Sequence, residues 1–340
     1  MQDLATSDAG GAPCGDEGLE DCAACLMCGG TAAELALDGA EDLFFRADPG
    51  RFAIHRCRAC GSLWLPRRPA GERLVRAYSG YHTHNEHADP TVAPHPLREW
   101  IRAAYYRSLF PGIAGPLDRL VGFALAAIGY DTSGLDKELR FVPPPPARVL
   151  DYGCGGGRFF RQLRGLPFKF YGVEYDPHLL SALAAEGIEV EDTATITDDR
   201  WDREFDYITL AHVLEHVPDP LALLRRLFGW LKPGGALYVE LPNAGASGLA
   251  IFGAVWRGLE VPRHFALPTR AALARALEET GFVIERQVID PAARDLLWGE
   301  SLAAAPERAH AALRQAMAGA PPETPDNAEL LIFIARRPAA

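Results

Sequence analysis

The chain has 340 residues and no run of about 20 uncharged apolar ones, so nothing in it suits a bilayer-spanning helix. Its first residues carry no apolar signal segment, and we expect a cytoplasmic protein with no membrane partner. There is no basic excess either: 34 Lys and Arg stand against 45 Asp and Glu, a net charge of −11. That balance leaves no broad surface for nucleic acid and argues against RNA or DNA as partner or substrate. Cysteine is scarce beyond residue 60, where only Cys154 occurs.

An apolar fraction of 48% is enough for an ordinary core, and the length suits one large domain with one or two small ones. Residues 1–21 hold six acids and no Lys or Arg, and read as a disordered acidic tail. Residues 22–66 contain the cysteines and 67–145 read as a helical linker or lid. Residues 146–340 carry the main domain. Arg51, Arg56, Arg58, Arg67, Arg68, Arg73 and Arg76 form one basic cluster, read as a solvated face.

The most informative segment is Arg148-Val-Leu-Asp-Tyr-Gly-Cys-Gly-Gly-Gly157. Val149 and Leu150 belong to a buried strand that Asp151 closes. Gly153, Gly155 and Gly157 make a tight turn before a helix starting at Arg158. Glycines at this spacing let a ligand approach the backbone. A dinucleotide fingerprint, G-x-G-x-x-G, would need glycine at Arg158 or Phe160, so the turn is of another kind. Asp151 suits an ammonium group, and the helix start favours a carboxylate. Glu174 ends the next strand, 23 residues on, where an acid can grip ribose hydroxyls. Further strands are expected at 187–192, 205–212, 236–241 and 329–336, with helices between them. Alternating strands and helices imply an α/β fold with a parallel sheet covered on both faces.

These segments, "VLDYGCGGG" (149–157), "YGVEYDP" (171–177), "FDYITLAHVLEHVPDP" (205–220) and "LKPGGALYVELPN" (231–243), resemble the class I S-adenosylmethionine-dependent methyltransferases. The resemblance implies a Rossmann-like, seven-stranded methyltransferase sheet over roughly residues 146–290 plus a final strand. It implies S-adenosylmethionine as methyl donor, held by Asp151, Gly153, Gly155, Gly157, Glu174, Tyr175, Asp192, Thr193 and His212. The acceptor is expected to be a small molecule, sugar or glycan, most simply at a hydroxyl. Sugar C-methylation, N-methylation of a natural product, or a silent partner-binding relative are the alternatives. The oligomeric state is not legible.

Six of the seven cysteines lie between residues 14 and 60. Cys25-Leu-Met-Cys28-Gly29 and Cys57-Arg-Ala-Cys60-Gly61 are two C-x-x-C-G knuckles separated by 28 residues. Their four thiolates suit one tetrahedral, structural zinc ion in a zinc ribbon. Short strands are expected at 35–37, 43–45 and 52–54. Cys22 also permits a Cys22/Cys25 first pair, although the glycine after Cys28 matches the one after Cys60. Cys154 reads as a small filler.

An alcohol acceptor has to lose a proton, and a histidine suits that task near neutral pH. His264 is the first candidate, His216 the second and His82 the third. His212-x-x-x-His216 suggests a metal pair, yet no third ligand is near in sequence. Four of the ten histidines, His82, His84, His87 and His95, fall in a Tyr-containing stretch read as a wall of the active site. Residues 243–263 contain Gly245, Gly248, Gly253 and Gly258, and are expected to be mobile. The apolar spacing of 97–129 gives two helices, either packed on the core or lidding the substrate.

Overall fold

The computed structural model describes residues 18–78 and 96–339. His82, His84, His87, His95 and Cys14 lie outside them. Short N-terminal strands come first: β1 (Leu19–Asp21), β2 (Ala33–Glu41), β3 (Arg51–Cys57), β4 (Leu63–Trp64) and β5 (Arg67–Pro69). Then follow β6 (Ala147–Tyr152), β7 (Phe168–Glu174), β8 (Glu189–Asp192), β9 (Phe205–Ala211), β10 (Leu231–Pro242), β11 (Ala266–Leu267), β12 (Val283–Val288) and β13 (Leu330–Arg336).

A seven-stranded sheet runs in the order β12-β13-β10-β9-β6-β7-β8. Strands β6 to β10 pair in parallel, whereas β13 is antiparallel to both of its neighbours. This is the Rossmann-like methyltransferase sheet expected from the sequence. Its central strands are buried on both faces, which explains their continuous apolar runs: Val149, Leu150, Ile208, Leu210 and Leu237 to Val239 are fully enclosed. Side-chain caps start the helices. Asp176 accepts from the His178 and Leu179 amides, Asp219 from Ala222, and Thr269 from Ala272. Pro177 and Pro220 follow the two aspartates, where a missing N–H costs nothing.

Helix Pro96–Ser108 packs on this sheet, burying Tyr105 and Tyr106 in a cluster with Val149, Phe159, Tyr207 and Tyr238. Helix Pro116–Ala127 buries no residue and leaves Leu117, Leu120 and Phe123 exposed. None of the helices among the described residues is long and apolar enough to cross a membrane.

The N-terminal module is not a separate body. Its sheet runs β11-β4-β3-β2, so one strand comes from far along the chain. Several expectations need correction. Leu19–Asp21 is not part of a disordered tail, because it pairs with Arg67–Pro69 outside the expected 22–66 limits. Residues 43–45 form a turn rather than a strand, closed by Asp42 accepting the Phe45 and Ala47 amides. Arg73 is not on a solvated face: it is buried, paired with Asp48 at 2.7 Å. The expected mobility of 243–263 is also overturned. The buried Glu329 carboxylate accepts from the Gly248 amide and from the Trp256 and Trp298 indoles at 2.7–2.8 Å. A Cβ at Gly248 or Gly258 would collide with the Trp256 ring, so these glycines serve close packing.

Candidate active site

The glycine turn is built as its sequence demands. Gly153, Gly155 and Gly157 all have positive φ (75°, 51° and 80°). A Cβ at Gly153 would strike Val213, and one at Gly157 would strike Leu183. The Gly153 and Cys154 amides bond to the Val173 carbonyl, lacing the turn to the end of β7. Cys154 is a buried filler against Phe160 and Leu183. The helix after the turn, Arg158–Gln162, has only five residues, so its dipole is weaker than the sequence suggested.

Glu174 is buried and closes the turn from β7. One carboxylate oxygen accepts the Gly155 amide at 2.8 Å; the other accepts the amides of Tyr175 at 2.8 Å and Asp176 at 3.3 Å. Asp192 pairs with Glu174 in register on the next strand, and the Thr193 amide donates to the Glu174 carbonyl. The structure thus brings Gly153, Gly155, Gly157, Glu174, Tyr175, Asp192 and Thr193 to the carboxyl ends of neighbouring strands, where ligands of such sheets bind.

Asp151 differs from expectation. Its carboxylate already holds a cation: Arg140 Nη1 and the Thr209 hydroxyl both lie 2.5 Å from Oδ1. Burial pushes its carboxyl up from the usual range, opposed by the Arg140 charge. An incoming ammonium would share this group with Arg140. The guanidinium also stacks on Phe159, 4.4 Å from the ring centre. Arg140 has a left-handed backbone (φ 46°), and its carbonyl accepts the Tyr207 hydroxyl at 2.6 Å.

At the end of β9, His212 also has positive φ (54°) and donates its amide to the Glu240 carbonyl. Its half-exposed imidazole lies 3.5 Å from Glu215 and 3.6 Å from Glu240. Desolvation would lower its pKa, but the two carboxylates win and hold it up at about 10. Glu240 in turn takes Lys137 at 3.0 Å and the Tyr238 hydroxyl.

Past it lies a second cluster. The His216 and His264 rings stand 4.7 Å apart at 72°. Glu215 lies wholly buried beside them, and among the described residues neither of its carboxylate oxygens accepts a hydrogen bond. Its carboxyl is nonetheless held low, because the neighbouring imidazoles, His212 foremost, outweigh desolvation. His264 is buried and bonds Gly258 carbonyl through Nδ1 at 2.9 Å; burial pushes its pKa down to about 4, so the ring is neutral. His216 is only partly buried, and its Nδ1 meets the Tyr78 hydroxyl at 3.0 Å and the Arg263 carbonyl at 3.1 Å. Tyr78 packs edge-on to Tyr175, beside the glycine turn's acid. His212 and His216 do not form the pair that their spacing suggested. Instead, donor atoms of Glu215, His216 and His264 lie within 4.8 Å of one another, a grouping that could hold a metal ion.

Four cysteines converge in the N-terminal module. Cys25 and Cys60 sulfurs are 3.7 Å apart, Cys28 and Cys57 sulfurs 3.5 Å. These separations are far beyond a disulfide's ~2.05 Å. They match the edge of about 3.8 Å that a tetrahedron with ~2.3 Å metal–sulfur bonds would have. Cys22 turns away, its thiol on the Ala24 carbonyl.

Residues 130–287 match the family described as "Methyltransferase domain". The chain is 32% identical over 165 residues to a protein named ubiquinone biosynthesis O-methyltransferase from Xanthomonas campestris pv. campestris (strain B100), covering 41% of this chain and 67% of that one. It is 32% identical over 189 residues to the protein of that name from Xanthomonas axonopodis pv. citri (strain 306), covering 48% and 78%. The chain belongs to the class I S-adenosylmethionine-dependent methyltransferases. Among solved structures, it is similar to an S-adenosylmethionine-dependent methyltransferase from Mesorhizobium loti. That match has a TM-score of 0.42 and 19% identity, over 60% of this chain and 97% of that one.

Sequence reasoning about this methyltransferase missed Arg140, Lys137 and Glu240. Glu240 had a signal, as a lone acid inside an apolar strand. Arg140 had none, because its position depends on a left-handed backbone that no neighbouring glycine announces.

Proposed function

We propose that this methyltransferase methylates a hydroxyl group of a small-molecule acceptor, with His216 taking the hydroxyl proton. The observation that carries the reading is the His216–His264 pair beside buried Glu215, linked through Tyr78 and Tyr175 to the turn that would hold the donor. S-Adenosylmethionine supplies a methyl group already activated on a sulfonium. The chain's residues have to align two reactants and remove one proton. Gly153, Gly155 and Gly157 give the donor backbone access, Glu174 and Asp192 its ribose hydroxyls, and Asp151 with Arg140 its amino-acid end. His212 borders the same strand ends.

The order of the two candidate bases reverses from that of the sequence. His264 is enclosed, whereas His216 is partly open and can meet an acceptor. As the sulfonium–methyl bond breaks to leave the neutral thioether and the methyl carbon bonds to the acceptor oxygen, the hydroxyl proton would pass to His216 Nε2. The buried Glu215 carboxylate favours the cation so formed. The O-methyltransferase names of the Xanthomonas relatives support the hydroxyl reading. Tritium-labelled donor offered with a panel of phenols, monosaccharides and amines tests it. Label should enter hydroxyl compounds, and transfer to amines alone would overturn the proposal.

The same three side chains favour a second reading, a divalent cation on Glu215, His216 and His264 that binds the acceptor oxygen. Calorimetric titration with Mn²⁺ separates the two: saturable binding abolished by Glu215→Gln supports the cation, and its absence leaves the proton acceptor.

We also propose that Cys25, Cys28, Cys57 and Cys60 hold one structural zinc ion. The convergence of the four sulfurs within 4.8 Å, with two pairs at 3.5 and 3.7 Å, supports it. Elemental analysis should find one zinc per chain.

A further inference from the structure

We propose that Arg263 and Asp42 are positioning residues through which the N-terminal module sets the tautomer of His216. The inference rests on the reading of His216 as the proton acceptor. It begins with a buried ion pair that joins the two parts of the molecule. Arg263 Nη2 and Nη1 reach the two Asp42 carboxylate oxygens at 2.6 and 3.0 Å, with both side chains essentially unexposed. Nη1 also donates to the Ala77 carbonyl at 2.8 Å, and the guanidinium lies over Phe45, 4.3 Å from its ring centre. Asp42 is fixed in turn by the amides of Phe45 and Ala47. A bidentate guanidinium–carboxylate fork sets direction as well as distance.

The main chain of Arg263 carries the consequence. Its carbonyl oxygen lies 3.1 Å from His216 Nδ1. A carbonyl has no proton to give, so this bond exists only when Nδ1 carries the hydrogen. A bare Nδ1 would place two lone pairs against each other. The proton on Nδ1 leaves the lone pair on Nε2, the nitrogen the chemistry requires. The Tyr78 hydroxyl oxygen, 3.0 Å from the same Nδ1, then accepts a share of that proton, and Tyr78 follows directly after Ala77, whose carbonyl Arg263 holds. One guanidinium therefore holds the Arg263 carbonyl and Tyr78, the two groups that meet His216 Nδ1.

The clamp reaches to the cysteine knuckles. Immediately after Arg263 and His264, Ala266–Leu267 pairs with Leu63–Trp64 as β11 on β4. The Leu65 amide donates to the Phe265 carbonyl at 3.0 Å, and the Thr269 hydroxyl to the Cys60 carbonyl at 2.9 Å. From the other side, the Phe265 amide donates to the Glu215 carbonyl at 2.7 Å. Segment 263–269 is thereby stitched between the module and the residues flanking His216.

The test is the ¹⁵N spectrum of the His216 ring in full-length Asp42→Asn, Arg263→Lys and the double variant Asp42→Asn/Arg263→Gln. The double variant removes both charges together, so no buried charge stays uncompensated if the single changes unfold the chain. In the wild type His216 should show the Nδ1–H pattern. The variants should shift toward a tautomer mixture, with methyl transfer to phenol acceptors about 10-fold slower and donor affinity within about 3-fold. Arg263→Lys, which keeps the charge but not the fork, should lie between wild type and the double variant. An unchanged His216 pattern in a folded variant overturns the clamp, whatever happens to turnover. A shifted pattern combined with wild-type turnover in His216→Ala leaves the clamp standing and removes His216 as the base.

Discussion

The two halves of the proposed site are built in opposite ways. The donor half uses about forty consecutive residues, from Asp151 to Thr193, and works largely through backbone geometry: three positive-φ glycines and acids at strand ends. The proposed acceptor half draws on Asp42, Tyr78, Glu215, His216, Arg263 and His264, brought together across more than two hundred residues by the buried Arg263–Asp42 pair and by the hydrogen bonds and ring contact of His216. The donor is one fixed molecule and a local motif suffices for it. The acceptor side depends on which segments are packed against it, so it can be altered without disturbing the donor. Substitutions should therefore separate the halves.

The largest effect is expected at the proposed proton acceptor. His216→Ala should lower turnover by about 10²–10⁴ while leaving donor affinity nearly unchanged. Steady-state rates with phenols of graded acidity check this, and the loss should shrink as the hydroxyl becomes more acidic. An equal loss for all of them would break the comparison.

Next in size is the cysteine module. Cys57→Ser should release the proposed zinc ion and lower the melting temperature, since a structural zinc contributes folding energy directly. Elemental analysis and a thermal melt together check it. Acceptor turnover should suffer more than donor binding, because β11 and the segment around His264 pack on this module.

A smaller change is expected at the donor's ribose. Glu174→Ala should weaken binding by about 1–3 kcal/mol through a lost charge-assisted hydrogen bond. The same substitution frees the Gly155 amide, so the turn should loosen as well, visible as faster amide exchange at 153–157.

The smallest effect concerns pH. The pKa of His212 is raised in the folded protein to about 10, so its charge pairing with Glu215 and Glu240 stabilises the fold fully below its ordinary value of 6.5. That contribution is lost as pH rises through 10, because the unfolded chain gives up the proton earlier. The ring is half-exposed and water screens the pairs, so the change should be about 1 kcal/mol or less. Melts between pH 6 and 10 should show a shallower decline for His212→Gln than for the wild type.

The same division explains what the sequence revealed. The sheet, the glycine turn and Glu174 are legible because each is a residue type forced by local backbone geometry. The convergence of the cysteine knuckles is legible for a similar reason, as a metal site would need its ligands at fixed spacing. The candidate histidines could be named, but their order, His264 before His216, could not anticipate that the fold buries His264 and leaves His216 partly open. Asp151 was seen as an acid at a strand end, but its partner Arg140 was not, since no local pattern marks a left-handed arginine. Gly248 and Gly258 were misread because close packing on Trp256 and flexibility call for the same residue.

The separability of the halves is tested most directly by calorimetric binding of S-adenosylhomocysteine, the demethylated donor, to three proteins side by side. The wild type should bind, and His216→Ala should bind with the same affinity within about 3-fold, because its loss lies in proton transfer. Gly153→Val should not bind, as its side chain would fill the turn and strike Val213. Equal binding by Gly153→Val, or loss of binding in a folded His216→Ala, would contradict the division of the site on which the account rests.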